Sequence, residues 1–135
     1  MAKILVIDDE PNVRTLLEMR LRHQGYEVLI ADNGRKGLQL YRQEHPDVIV
    51  LDLRMPELDG VTVLKEIRGV DLKQPVIILT GDMIPSVERQ VRAIGVSNFI
   101  VKGSSMNLLM DTLKSILKAS SLTMGCSTVI ETLAS

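Results

Sequence analysis

The chain has 135 residues, of which 45% are hydrophobic, 24% charged and only 2% aromatic, and its formal net charge is −1. This length and composition fit one domain with an aliphatic core and exclude a disordered chain, and the single cysteine excludes an internal disulfide. Because no apolar run approaches the roughly 20 residues of a membrane span, and because the charge is near neutral, we expect a cytoplasmic protein that binds neither membranes nor nucleic acids.

Short aliphatic runs alternate along the chain with longer segments of helical periodicity. Continuous apolar runs are typical of strands buried on both faces of a parallel sheet, whereas apolar residues three or four positions apart predict helices. In chain order, the predicted strands are residues 3–7, 28–31, 48–53, 76–79 and 98–101. The helices that alternate with them are predicted from Pro11 to a cap at Gly25, and at about residues 35–44, 61–68, 84–94 and 106–118.

This alternation determines the predicted fold class and the domain boundaries. Strands and helices that follow one another in strict order predict a three-layer α/β domain with right-handed crossovers. We assign residues 1–119 to this domain and residues 120–135 to a C-terminal tail or an additional helix.

Polar residues stand at the carboxyl ends of the predicted strands, which is the edge at which open parallel sheets bind ligands. They are Asp8 and Asp9 after the first strand, Asp52 at the third, Thr80 at the fourth and Lys102 after the fifth. Each has an ordinary interpretation alone, as a helix cap, a turn residue, a strand residue or a solvated lysine. Together they predict one pocket of net charge −2, which a hard divalent cation such as Mg²⁺ would balance. Such a pocket suits phosphoryl transfer, which needs mainly positioning and charge neutralisation.

Four sequence segments carry a resemblance to a known family. They are VIDDE (residues 6–10), LDLRMPELDG (51–60), LTG (79–81) and FIVK (99–102). In this order and spacing, they make residues 3–118 resemble response-regulator receiver domains. The resemblance implies a doubly wound, flavodoxin-like sheet with strand order 2-1-3-4-5. It also implies a phosphoacceptor of two-component signal transduction, a signalling protein that assists its own phosphorylation and dephosphorylation rather than an enzyme with a turnover substrate.

The resemblance assigns the nucleophile and the metal ligands. Asp52 would attack the phosphoryl group and become an aspartyl phosphate. Asp9, Asp52 and the backbone carbonyl of Arg54 would bind Mg²⁺ directly, with Mn²⁺ as an alternative, and Asp8 would act on the metal through water. The phosphoryl donor would be the phosphohistidine of a sensor histidine kinase or of a phosphotransfer protein in a phosphorelay.

The resemblance also assigns a switch. Lys102 would pair with the phosphoryl oxygens, Thr80 would move inward to hydrogen-bond one of them, and Phe99 would follow by turning its ring inward. The surface around helix 4, strand 5 and helix 5 would then change for a downstream protein target, with the chain a monomer or a weak, phosphorylation-dependent homodimer. One residue departs from the family pattern: Gly103 stands where Lys102 is usually followed by proline, and glycine restrains the backbone beside the lysine far less than proline would.

Three other functions remain open at the level of sequence. A flavin-binding electron carrier has the same architecture, but an acidic loop after the first strand would repel the cofactor phosphate, and aromatic residues are scarce. A phosphohydrolase resembling the haloacid-dehalogenase group would use Asp8 as its nucleophile. The third is a receiver-like scaffold that binds its partners without phosphorylation, which Gly103 alone favours.

Overall fold

The computed structural model describes residues 1–81, 84–103 and 106–125, with side chains described only as far as residue 119. Within these ranges, strands and helices alternate as predicted. The strands are β1 Lys3–Ile7, β2 Glu27–Ala31, β3 Val48–Leu51, β4 Val76–Thr80 and β5 Asn98–Val101. The helices are α1 Pro11–His23, α2 Gly34–Glu44, α3 Gly60–Val70, α4 Pro85–Ile94 and α5 Met106–Gly125.

The strands form one parallel sheet in the order β2-β1-β3-β4-β5. This confirms the predicted doubly wound fold and its strand order. The order places β1 and β3 side by side in the middle of the sheet and β5 at one edge. Because all strands run the same way, their carboxyl ends meet along one edge of the sheet, where the candidate residues were predicted to lie.

Helices cover both faces of the sheet, so the inner strands β1, β3 and β4 are buried on both sides. In β1, Leu5 and Ile7 belong to the apolar cluster under α2, α3 and α4, whereas Ile4 and Val6 belong to the cluster under α1 and α5. All four side chains have 0% exposure. Successive residues of a strand point to opposite faces, so an uninterrupted aliphatic run is what a strand between two helical layers requires.

The helix ends follow the local sequence signals. Pro11 occupies the first turn of α1, and Gly25 beyond its end has a φ of 90°, which favours glycine. Asn33 and Asp59 cap α2 and α3, where their side chains accept hydrogen bonds at 2.9 Å from the backbone N–H groups of the third residues that follow. These caps fix the loops that approach the carboxyl edge of the sheet.

Most elements differ from the prediction by one to three residues at their ends, and two of the differences bear on the site and on the tail. β3 ends at Leu51 rather than at residue 53, because its ladder with β1 ends at the pair Ile7 and Leu51. α5 continues to Gly125 rather than to residue 118, so it includes the first residues of the predicted tail; residues 126–135 of that tail lie outside the described residues. No helix in the described ranges is long and apolar enough to cross a bilayer.

Candidate functional site

Backbone hydrogen bonds hold the pocket residues in place just beyond the strand ends. The N–H of Asp8 donates to the carbonyl of Ala31 at 3.1 Å, and the N–H of Asp52 donates to the carbonyl of Ile7 at 2.9 Å. The N–H of Lys102 donates to the carbonyl of Thr80 at 2.6 Å. Each of these bonds extends a strand pairing by one step. The side chains of Asp8, Asp52 and Lys102 therefore start from fixed backbone positions, although each residue lies one position past the end of its strand.

The Lys102 ammonium lies among three carboxylates. Its Nζ atom is 2.8 Å from Oε1 of Glu10, 3.0 Å from Oδ2 of Asp8 and 3.3 Å from Oδ2 of Asp52. The lysine starts at the edge strand and reaches across β4 and β3 to the loop after β1. The structure thus brings together the carboxyl ends of β1, β3 and β5, as the sequence predicts.

Burial sets the electrostatics of the nucleophile candidate. The Asp52 side chain is 2% exposed, and burial together with the nearby charge of Asp8 raises the pKa of Asp52 from 3.8 to about 6, against the opposing effect of Lys102. Burial alone would lower the pKa of Lys102, but its hydrogen bonds to Glu10 and Asp8 and the charge of Asp52 raise it above its usual range. The lysine is therefore a permanent cation at neutral pH beside a carboxylate whose charge is costly to keep.

The carboxylates also suit a divalent cation. Oxygen atoms of Asp8, Asp9, Glu10 and Asp52 all lie within 4.8 Å of one another. An open cleft of about 480 Å³ beside Asp9 gives solvent access to this cluster. An all-oxygen donor set that is partly open to water fits Mg²⁺ and Mn²⁺, which prefer hard oxygen ligands and retain several waters.

Arg54, whose carbonyl is predicted to bind metal, contacts the nucleophile candidate through its backbone N–H. Its N–H donates to Oδ1 of Asp52 at 3.3 Å, so the loop after β3 folds back onto the nucleophile candidate. Gly60, the first residue of α3, closes this loop: a Cβ atom there would lie against the carbonyl oxygen of Asp52 and 2.6 Å from Cα of Leu53. Only glycine allows this approach, which is why the Asp59–Gly60 pair belongs to the scaffold of the site.

The predicted switch residues lie between the sheet and α4. Thr80 is 1% exposed at the end of β4, and it lines a cavity of about 180 Å³ together with Leu53 and Val87. The Phe99 ring is buried, and the guanidinium carbon of Arg92 lies 5.8 Å from its centroid. Because the ring is already buried in the unphosphorylated chain, burial does not by itself distinguish two states, and the switching roles stay predictions.

Gly103 adopts a backbone conformation that proline cannot. Its φ is 91°, whereas the proline ring holds φ near about −65°. Lys102 nevertheless reaches the carboxylates, so the missing proline does not remove the lysine from the pocket.

Glu10 is the residue that sequence reasoning missed. It was part of the VIDDE segment but received no role, and yet it makes the shortest contact to Lys102. Its position immediately after Asp8 and Asp9 was the available signal. What the sequence did not show is that a side chain 92 residues later would reach it.

Comparisons with known proteins identify the family of the chain. The family model described as response regulator receiver domain matches residues 4–114. The chain is 42% identical over 102 residues to the regulatory protein AtoC of Escherichia coli, covering 74% of this chain and 22% of that protein. It is 40% identical over 121 residues to the "probable transcriptional regulator ycf27" of Porphyra purpurea, covering 86% and 47%.

Solved structures extend the similarity to the three-dimensional fold. The chemotaxis protein CheY4 of Vibrio cholerae superimposes with a TM-score of 0.81 at 30% identity, covering 86% of this chain and 98% of that one. The chain spans less than half the length of the curated relatives named above, whereas it corresponds to nearly all of this solved structure.

Proposed function

Because the chain belongs to the response regulator receiver domain family, we propose that it is phosphorylated at Asp52 with the help of Mg²⁺. It is a receiver domain of two-component response regulators, which agrees with a phosphoacceptor role. The observation that carries the assignment is the position of Asp52: a buried carboxylate 3.3 Å from a lysine ammonium and grouped with the carboxylates of Asp8, Asp9 and Glu10.

Each residue of this pocket has its own role in the proposed phosphoryl transfer. An oxygen of Asp52 attacks the phosphorus of a phosphohistidine, the new O–P bond replaces the N–P bond, and the imidazole leaves with the electron pair of the broken bond. Lys102 balances charge on the phosphoryl oxygens, and Thr80 donates a hydrogen bond to one of them. Asp9, Asp52 and the carbonyl of Arg54 would hold Mg²⁺, with Asp8 acting through water. When bound, the metal supplies charge neutralisation between an anionic donor and an anionic acceptor.

The phosphorylated chain would act by binding rather than by turnover. A phosphoryl group adds about two negative charges and strong acceptors at Asp52, which draws Thr80 and Lys102 towards it and biases the packing of Phe99 against α4. The surface of α4, β5 and α5 would then bind a downstream protein, or a second copy of the chain in a weak dimer. A sensor histidine kinase or a phosphotransfer protein would supply the phosphoryl group. The cytoplasm as its compartment stays a prediction.

Intact-mass measurement tests the phosphoacceptor role. The protein is incubated with Mg²⁺ and a small acyl-phosphate donor, beside Asp52→Asn, a metal-chelated sample and the matched control Asp111→Asn, in which an exposed aspartate on α5 is changed. We expect one phosphoryl adduct in the unsubstituted chain and the control, and none in Asp52→Asn or without metal. An adduct that persists in Asp52→Asn would refute the assignment, and a complete lack of adducts would favour the phosphorylation-independent scaffold.

A further inference from the structure

The ammonium of Lys102 has a third carboxylate partner outside the predicted nucleophile and metal set. The Glu10 contact at 2.8 Å is shorter than the contacts to Asp8 and Asp52. We propose that Glu10 is a positioning residue that holds the Lys102 ammonium over Asp8 and Asp52 in the unphosphorylated chain, and thereby lowers the affinity of the pocket for Mg²⁺. This inference rests on the proposed function, because it assumes that the pocket binds this cation.

Hydrogen bonds on both sides of Glu10 fix the position of its backbone, from which the carboxylate reaches Lys102. Its N–H donates to Oδ1 of Asp8 at 2.9 Å, and its carbonyl accepts the N–H of Arg14 at 3.0 Å as the first bond of α1. A side-chain hydrogen bond from Arg14 to the carbonyl of Asp8 at 2.9 Å braces the same turn. Glu10 therefore presents its side chain from a rigid corner between β1 and α1.

The backbone of Lys102, in contrast, is bonded to β4 through its N–H and is followed by Gly103, where an added Cβ would meet nothing within 4 Å among the described residues. Glycine restricts the backbone far less than any other residue. The orientation of the long lysine side chain therefore depends on what its ammonium binds, and its closest partner is Glu10.

The position in which Glu10 holds the ammonium matters for metal binding. The lysine side chain is 14% exposed and lies over the carboxylates of Asp8 and Asp52, which are each 2% exposed. A divalent cation that binds these carboxylates competes with the ammonium, and it must also overcome the ion pair with Glu10. Because the Glu10 side chain is 57% exposed, water partly screens its ion pair with Lys102. We therefore expect this ion pair to change the affinity for Mg²⁺ by about two- to fivefold.

A double-mutant cycle separates this effect from simple charge. Glu10→Asp keeps the negative charge beside the cluster but shortens the side chain by one methylene, which moves the carboxylate away from the position where it holds the ammonium. Lys102→Met removes the ammonium and retains most of the length of the side chain. Mg²⁺ dissociation constants are measured by calorimetry for the unsubstituted chain, both single variants and the double variant, and far-UV circular dichroism checks that each is folded.

If Glu10 acts through Lys102, Glu10→Asp tightens Mg²⁺ binding about two- to fivefold when the lysine is present, and leaves it unchanged when residue 102 is methionine. Glu10→Gln also removes a negative charge from the carboxylate cluster, so it weakens Mg²⁺ binding when residue 102 is methionine and weakens it less when the lysine is present. Equal effects in both backgrounds, or weaker binding by Glu10→Asp in the lysine background, would overturn the inference alone. An unsubstituted chain that binds no Mg²⁺ and forms no phosphoryl adduct would overturn the proposed function together with it.

Discussion

Replacing Asp52 with asparagine is expected to stabilise the fold at neutral pH, although it removes the proposed phosphorylation site. Burial and the charge of Asp8 raise the pKa of Asp52 to about 6 from its ordinary 3.8, with Lys102 opposing the shift. Between these two pH values, the folded chain keeps a proton that the unfolded chain has released. Stability therefore decreases as pH rises through this window, and the full cost of the charge is present above about pH 6.

The pKa shift sets the size of the effect. The pKa of Asp52 rises by about two units, and each unit corresponds to about 1.4 kcal/mol of folding free energy. The buried charge therefore costs at most about 3 kcal/mol of stability. Asparagine removes this cost, and the shifted pKa already includes the opposing effect of Lys102, whose ammonium lies 3.3 Å from Asp52. We therefore expect a gain of about 1–3 kcal/mol above pH 6.

Urea unfolding followed by far-UV circular dichroism measures this gain, since the chain has no tryptophan. The measurement is made with a metal chelator from about pH 4 to about pH 7.5, a range that brackets the titration. We expect the advantage of Asp52→Asn to be near zero at the acidic end and to grow to its full value at neutral pH. Asp111→Asn, at an exposed position of α5, should show no such growth. An advantage that is equal at both ends, or a less stable Asp52→Asn at neutral pH, would refute the argument that Asp52 carries a costly buried charge.

Two further predictions concern the scaffold of the site and the aromatic switch candidate. Gly60→Ala is expected to destabilise the fold by about 1–3 kcal/mol in urea unfolding, because its Cβ would overlap the backbone after β3. The control Gly69→Ala lies on the same helix, where a Cβ would meet no atom of the described residues within 4 Å, and it should be neutral or stabilising. Equal losses of stability for the two variants would contradict the packing argument. Arg92→Met is expected to cost about 0.5–1 kcal/mol and to shift the ring resonances of Phe99, the only phenylalanine of the chain. The control Arg89→Met, at an exposed position of the same helix, should leave these resonances in place, and unchanged resonances in Arg92→Met would show that the guanidinium does not hold the ring.

The fold could be predicted because most of the strands are aliphatic runs that only a sheet covered on both faces can bury. The pocket followed from the same fact, since the carboxyl ends of parallel strands meet at one edge and Asp8, Asp52, Thr80 and Lys102 stand at those ends. Hydrophobic pattern determines such features locally, so the sequence was sufficient for them.

Other features depend on contacts between distant parts of the chain. The end of β3 at Leu51 is set by its pairing with Ile7, which no local pattern reveals. Glu10 is the closest carboxylate to Lys102 because of the conformation of the turn between β1 and α1, which no local pattern reveals either.

The ion pairs of Lys102 connect the site to the order in which the chain folds. Its three carboxylate partners lie 50, 92 and 94 residues earlier in the sequence, and contacts of such long range form only after most of the sheet has been assembled. An intermediate in which β1 and β3 have paired but β5 has not would hold Asp8 and Asp52 side by side without this cation. Mutual repulsion would weaken that intermediate, and docking of the last strand would relieve it. Lys102, which is proposed to balance charge on the phosphoryl oxygens, would thus also favour the complete sheet over its partly folded forms.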